Sequence, residues 1–399
     1  MLALSYYEVC AFPNRGGANA RQRPVPHRPS ALAKRESALA GSRSPDSLGP
    51  DARCYNRRVP RRCVVGVDVG GTNVRAQAFL SDGEPAGERI QNESQARAGV
   101  EPVLHILEKT IRQAIGASES PVEAVGIAFA GHIDDGAGAV RWSPNFGTEE
   151  AGGFRIWENV AIREPLSESI SVPIHMGNDA NLAALGEYLF GTGKGTAKCL
   201  VMLTVGTGIG GGVVLTPDSL LGDARGPLVL VGGNLGGAEL GHTAILHGGL
   251  DSSAGAYGSI EAYCQRDSIV RRAVYKLQRG QDSVLKETVG GDFSKITPRL
   301  LFDAAERGDE LAVEVWSEVG TYLGVGIGNM INVFAPDVFA IGGQIAKAGK
   351  WLLEPAIKSA RGVAIPSLFR DARIVQAELI EDAGILGGAA LALEAGRWV

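Results

Sequence analysis

Val64-Val-Gly-Val-Asp68-Val-Gly70-Gly71-Thr72-Asn73-Val74-Arg-Ala-Gln-Ala-Phe79 is the stretch that decides the fold. Its first six residues are a β-branched run of the kind seen in buried strands, and Val74–Phe79 reads as a second strand after a turn. The turn leaves the Asp68 carboxylate at a strand end. Gly70 and Gly71 offer backbone N–H groups that a phosphate can approach with no Cβ in the way, and Thr72 and Asn73 add neutral donors. A Gly-Gly pair alone is ordinary hairpin punctuation. Here the arrangement recurs. Lys198-Cys-Leu-Val-Met-Leu-Thr-Val-Gly-Thr207-Gly208-Ile-Gly-Gly-Gly-Val-Val-Leu repeats strand, Thr/Gly turn and strand, with the Thr207 hydroxyl and several unobstructed amides as a second phosphate clamp across a cleft.

Outward from these hairpins, Val100, Val103, Leu104, Leu107, Ile111 and Ile115 keep helical spacing, and Ala124-Val-Gly-Ile-Ala-Phe returns to strand. Helices are predicted at 297–307 and 310–334, a strand from Val338, and a small-residue helix at 384–396. Strands alternating with helices make an α/β chain, and 399 residues exceed what a single core usually organises, so duplicated lobes are expected. Apolar residues make up 45% and charged residues 21%, enough for a packed core, and no run approaches the roughly 18 apolar residues of a membrane-spanning helix. Five scattered cysteines without CxxC spacing exclude a disulfide or metal framework and point to a reducing cytoplasm.

Residues 1–62 carry 12 Lys/Arg against 4 Asp/Glu, whereas the remainder carries 27 against 40. They are rich in Arg, Pro, Ser and Ala without apolar periodicity, which predicts a disordered basic extension. No aromatic stacking pattern or helix-turn-helix spacing accompanies the charge, so nucleic-acid binding is not expected. Glu8, Glu36, Asp46 and Asp51 speak against a transit peptide.

Asp179 follows the predicted strand Ser171–Met176 and precedes a helix, which puts its carboxylate at a strand's C-terminal rim. Two roles fit it: a general base, or the cap of the helix starting near Ala180. Neither glycine-rich turn is a Walker A, because no Gly-Lys-Ser/Thr follows, and neither opens a helix in the dinucleotide-binding manner. Gly342 and Gly343, in Ile341-Gly-Gly-Gln-Ile-Ala, would let a base or ribose lie against bare backbone; a simple strand-to-helix turn explains them equally well.

From Val64 to Leu393 the chain resembles the ROK group of sugar kinases within the actin-like ATPase superfamily. The resemblance is carried by Asp68-Val-Gly-Gly-Thr, Gly177-Asn-Asp-Ala-Asn-Leu-Ala-Ala-Leu-Gly-Glu, Leu203-Thr-Val-Gly-Thr-Gly-Ile-Gly-Gly-Gly, Ala238-Glu-Leu-Gly-His and Gly258-Ser-Ile-Glu-Ala-Tyr. It implies an α/β, two-lobed actin-like ATPase (ribonuclease H-like) fold with duplicated α/β domains and an interlobe cleft that closes on ATP, Mg²⁺ and a hexose. A small lobe of 63–181 plus 378–399 and a large lobe of 182–377 are expected. By resemblance Asp179 is the general base for the 6-hydroxyl, and Glu239, His242, Glu261, Asn178, Asn145 and Gly131 contact the sugar. Asp68, Gly70, Gly71, Thr72, Asn73, Thr207, Gly208, Gly342 and Gly343 hold the nucleotide. Residues 177–191 look most like the glucokinase branch, with glucose as substrate, although mannose, fructose, allose and N-acetylhexosamines are handled by similar sites. A homodimer or homotetramer is implied, with no membrane partner.

The chain departs from its relatives at one place. Many of them hold a structural zinc with the motif's His and three cysteines. Ser252, Ala254 and Ser259 stand at the cysteine positions, none a competent thiolate ligand, so no structural zinc is expected. The loop 243–258 must then be ordered by packing and hydrogen bonds. Two rivals come from other classes. One is a sugar-responsive ROK transcriptional regulator, against which residues 1–62 are too short and Pro/Arg-rich for a winged helix. The other is a non-catalytic structural member of the actin superfamily, against which Glu239, His242 and Glu261 speak for a sugar.

Overall fold

A computed structural model describes residues 61–221, 226–252, 255 and 257–395. The basic extension lies outside the described residues except for Arg61 and Arg62. The strands are β1 (Cys63–Val69), β2 (Asn73–Leu80), β3 (Ile90–Glu93), β4 (Val122–Phe129), β5 (His132–Asp134), β6 (Ala139–Glu150), β7 (Gly153–Ala161), β8 (Ile174–Asn178), β9 (Cys199–Val205), β10 (Ile209–Leu215), β11 (Leu228–Val229), β12 (Val338–Gly342) and β13 (Arg373–Gln376).

Ten of them form two sheets of one design. The first runs β3-β2-β1-β4-β8 and the second β11-β10-β9-β12-β13. In each, the central strand pairs antiparallel with its hairpin partner and parallel with the strand on its other side, and the outermost strands repeat those directions. The duplication read from the two glycine-rich hairpins is therefore a duplication of the whole sheet. This is the two-lobed actin-like ATPase architecture.

The continuous apolar run of β1 follows from cover on both faces. Cys63, Val65, Val67 and Val69 share a core with Val103, Leu107 and Ile111 of the helix Val100–Gly116. Val64, on the opposite face, packs with Ile385, Ala389 and Leu393 of the helix Ala383–Glu394. That second helix explains the small residues. A Cβ at Gly66 would lie 2.0 Å from the Ile385 carbonyl oxygen, and one at Gly126 would lie 1.9 Å from that of Gly388, so the helix backbone lies directly on the sheet. Period-two alternation then carries Asp68 to the same face at the strand's end, where a Cβ at Gly384 would come 2.9 Å from its carboxyl carbon. The carboxylate thus sits by the first turn of that helix, where the backbone dipole favours an anion.

Sequence periodicity predicted most elements within a few residues: the long helix spans Glu310–Phe334 and the preceding one Pro298–Glu306. The three-stranded sheet β5-β6-β7 was not foreseen, because β6 has a register shift between Ser143 and Gly147 that breaks its alternation. Among the described residues no helix is long and apolar enough to cross a membrane.

Candidate active site

Strand β8 ends at Asn178 and the helix Asp179–Phe190 begins immediately after it. The cap is Asn178: its Oδ1 accepts the Asn181 N–H at 2.9 Å, while its Nδ2 donates to the Gly131 carbonyl at 2.9 Å. Capping therefore falls to Asn178, and Asp179 keeps its carboxylate for other work. Only Oδ1 is engaged, by the Ala180 N–H at 2.8 Å. Asp179 retains a partly open face, yet protein surrounds it closely enough that burial, reinforced by the charges of Asp68 and then Glu239, pushes its carboxyl up to about 6 against the pull of the Ala180 N–H. Carboxylates from three motifs far apart in sequence thus feel one another.

Glu239, His242 and Glu261 form a relay. His242 lies between the two acids, its Nε2 3.8 Å from Glu239 Oε2 and its Nδ1 3.9 Å from Glu261 Oε1. Its Nδ1 is buried without a hydrogen-bond partner. Glu261, buried in the short helix Ile260–Cys264, also accepts the Ile209 N–H at 2.9 Å. A Cβ at Gly208 would strike its Oε2 at 2.7 Å, so the second glycine turn rests against the carboxylate. The Thr207–Gly208 turn therefore rests on Glu261, His242 lies between Glu261 and Glu239, and the charge of Glu239 in turn reaches Asp179.

The glycines separate into two kinds. Gly70 and Gly71 have no positive φ, and a Cβ at either would meet nothing closer than the Asn73 carbonyl oxygen at 3.6 Å. Neither conformation nor packing demands glycine there. Gly342 and Gly343 are the reverse: a Cβ would meet Met202 Cε at 2.4 Å, and at Gly343, with φ 80°, the Val205 carbonyl oxygen at 2.4 Å. The turn reading accounts for both. The ground beside them is nonetheless hollow, since a cavity of about 450 Å³ is lined by Thr207, Arg266, Arg299, Phe302, Gln344 and Lys347.

Thr72 is exposed at the first turn, and the Asn73 side chain accepts from Gln91 Nε2 at 3.3 Å. Gly131, at φ 126°, is reached through Asn178, and a Cβ there would collide with the Trp142 carbonyl at 2.3 Å. Asn145 is exposed on β6, outside the contacts just described. Three residues escaped the sequence reading. Arg75 pairs with Asp68 and donates to the Glu381 carbonyl at 3.3 Å; Lys347 pairs with the Glu381 carboxylate; His132 faces Glu239. Hairpin register could have found Arg75, because Asp68 and Arg75 are direct cross-strand partners. Neither Lys347 nor His132 lies in a recognisable motif.

The loop after His242 is held by backbone ties. Ile245 N–H donates to the Gly258 carbonyl at 2.7 Å, Gly258 N–H to that of Leu250 at 2.7 Å, and Leu250 N–H to the Tyr263 hydroxyl at 2.9 Å. Ser259 serves as N-cap for the helix at Ile260, accepting the Ala262 N–H at 3.2 Å, and Ser252 is buried. Ala254 lies outside the described residues. Donors of this kind do not suit zinc.

Comparison with known proteins accords with this geometry. Glucokinase of Thermotoga maritima is 33% identical over 336 residues, covering 84% of this chain and 99% of that protein. The crystal structure of a ROK family glucokinase from Streptomyces griseus in complex with glucose and AMPPNP superposes with a TM-score of 0.67 at 28% identity, covering 83% of this chain and 99% of that one. A xylose repressor of Caldicellulosiruptor bescii is 25% identical, with 83% of this chain aligned to 78% of the repressor. The ROK family profile matches residues 64–395, and the chain belongs to that family.

Proposed function

We propose that the protein is an ATP-dependent hexose kinase that phosphorylates the 6-hydroxyl of glucose, with Asp179 as general base. The observation that supports this reading is the placement of Asp179 directly after β8, where its carboxyl, pushed up to about 6, feels the charges of Asp68 and Glu239. Phosphoryl transfer asks the protein mainly for position, neutralised charge and an acceptor for one proton. In this reading Glu239, His242 and Glu261, with Asn178, Gly131 and Asn145 from the small lobe, fix the sugar hydroxyls. Asp179 takes the 6-hydroxyl proton on Oδ2, the oxygen left by the Ala180 N–H. A proton affinity near that of the working pH suits a base.

The residues fit a nucleotide: the open space over Gly70 and Gly71 and the cavity beside Thr207 and Gln344 are places where a triphosphate and its base would lie. Thr72, Asn73, Thr207 and Gly208 would hold the phosphates, Gly342 and Gly343 would floor the base, and Asp68 would help to hold the Mg²⁺ carried with the nucleotide. When bound, ATP with Mg²⁺ supplies the phosphoryl group and offsets its charge. The reading includes the lobes at 63–181 plus 378–399 and 182–377, a cytoplasmic setting and a homo-oligomer. Its rival is a sugar-responsive regulator, which the likeness to the xylose repressor keeps in view.

A coupled assay with glucose, mannose, fructose, N-acetylglucosamine and N-acetylmannosamine, each with ATP and with polyphosphate, tests it. Highest kcat/KM for glucose with ATP is expected. Transfer to none of them, together with sugar-dependent binding to a specific DNA site, would replace the kinase by the regulator.

A further inference from the structure

We infer that His132 is a positioning residue of the hexose site, holding Glu239 from the opposite side of the cleft to His242; this rests on the kinase reading above. His132 Nε2 lies 3.8 Å from Glu239 Oε1, and His242 Nε2 lies 3.8 Å from Glu239 Oε2. Each oxygen of the carboxylate thus faces its own imidazole. One imidazole comes from β5, which follows the first sheet, and the other from the loop that follows the second.

His132 is itself tightly placed. It opens β5 directly after Gly131, whose φ of 126° turns the chain off β4. Its ring centroid is 5.1 Å from that of Trp142, which is its cross-strand partner on β6. Gly236 also abuts it: a Cβ there would come 2.7 Å from the ring, so the segment leading to Glu239 passes close against the imidazole. Glycine there is explained by that approach, because Gly236 has no positive φ.

A carboxylate that accepts from sugar hydroxyls must be aimed as well as present, since small misplacements forfeit bidentate geometry. An imidazole beside each of its two oxygens limits how it can turn. Because one of them belongs to each side of the cleft, the aim of Glu239 depends on the cleft's width. His132 acts through Glu239, and its neighbours described above, Glu239, Trp142 and Gly236, do not include Asp179 or the two glycine-rich turns, so its signature is selective: sugar affinity falls, while turnover and ATP affinity hold.

The test uses the full-length protein with His132→Ala, His132→Gln and Glu239→Gln, alone and combined. Glucose Kd is measured by calorimetry without ATP, and KM and kcat are measured for both substrates. For His132→Ala a ~5- to 10-fold rise in glucose Kd and KM is expected, the effect of losing one polar contact of about 1 kcal/mol. His132→Gln, whose amide can still donate to Glu239, should recover to within ~3-fold of wild type, and on a Glu239→Gln background His132→Ala should add less than ~2-fold. Unchanged glucose Kd in His132→Ala, a rise confined to ATP KM, or full additivity with Glu239→Gln would overturn the inference. If His132→Ala melts lower than wild type, the Glu239→Gln background decides: His132→Ala adding less than ~2-fold to the glucose Kd there supports the inference, and adding its full ~5- to 10-fold overturns it. Wild-type protein that binds glucose without phosphorylating it would sink the kinase reading alone, because the calorimetric comparison would still judge His132.

Discussion

The two glycine-rich turns, 70–72 and 206–208, occupy equivalent places in equivalent sheets, yet they are tied to the molecule differently. The first joins β1 to β2 and leaves its glycines open: the Ser94 N–H donates to the Thr72 carbonyl at 2.9 Å, but Cβ atoms at Gly70 and Gly71 would touch nothing closer than 3.6 Å. The second joins β9 to β10 and is fastened to Glu261 and Arg266. Gly208 abuts Glu261 Oε2, Ile209 N–H donates to that same oxygen at 2.9 Å, and Arg266 N–H donates to the Gly206 carbonyl at 2.9 Å. Duplication supplied the same loop twice; packing then left the glycines of one bare and set those of the other against Glu261. A glycine that the fold does not require is evidence for a ligand, and one that it does require is not.

The contrast has force only if both turns serve one reacting group, and removing that group is the largest effect expected. Asp179→Asn should cut kcat by ~10²- to 10⁴-fold, as loss of a general base does, with glucose Kd held within ~3-fold. Turnover near wild type would break the scheme. With the carboxyl raised to about 6, wild-type kcat/KM should fall tenfold per pH unit below that point. Asp68→Asn removes a charge that raises it and should move the acid limb to lower pH, whereas Thr207→Ala should leave the limb in place. Stability runs the other way. The folded carboxyl is raised from 3.8 to about 6, so the fold penalises its charge: the relative stability is full below pH 3.8 and lost as pH rises through about 6. Asp179→Asn should therefore melt higher than wild type at pH 8, by ~1 to 2 kcal/mol after screening, and level with it at pH 4.

A smaller effect probes the joint. In Gly208→Ala the new methyl group would meet Glu261 Oε2 at 2.7 Å, and overpacking of that kind costs about 1 to 3 kcal/mol. Displaced Glu261 should disturb His242 and the Ile209 N–H together, so the KM values for glucose and for ATP should both rise ~10-fold. A rise in the ATP value alone would show the second turn to be as free as the first.

Most of the fold was legible because its buried elements have simple periods. Val64–Val69 reads as a strand since both faces are covered, and the helix Glu310–Phe334 keeps its apolar stripe throughout. Sheet β5-β6-β7 was hidden by the irregular pairing of β6. In the site, Asp68, Asp179 and Glu261 were visible through motifs, whereas the division of labour between Asn178 and Asp179 was not: an Asn-Asp pair before a helix admits either as cap. His132 and Lys347 could not be found, because they reach Glu239 and Glu381 across the fold from positions with no local pattern. Nor could sequence tell Gly71 from Gly343, as the difference lies in what surrounds the absent Cβ.

The smallest effect sharpens the comparison most. In Gly71→Ala the added methyl group meets no protein atom within 4 Å and requires no positive φ, so the folded state accepts it and the unfolded state loses freedom. Its melting temperature should equal or slightly exceed that of wild type, and its glucose KM should not move. Only a phosphate resting on that backbone would notice the methyl group, which predicts a ~3- to 10-fold rise in ATP KM from a lost or lengthened N–H contact. An unaltered ATP KM would mean that the open space over the first turn is merely open, and the free turn would then lose its claim as a ligand rest while the fastened one kept its own.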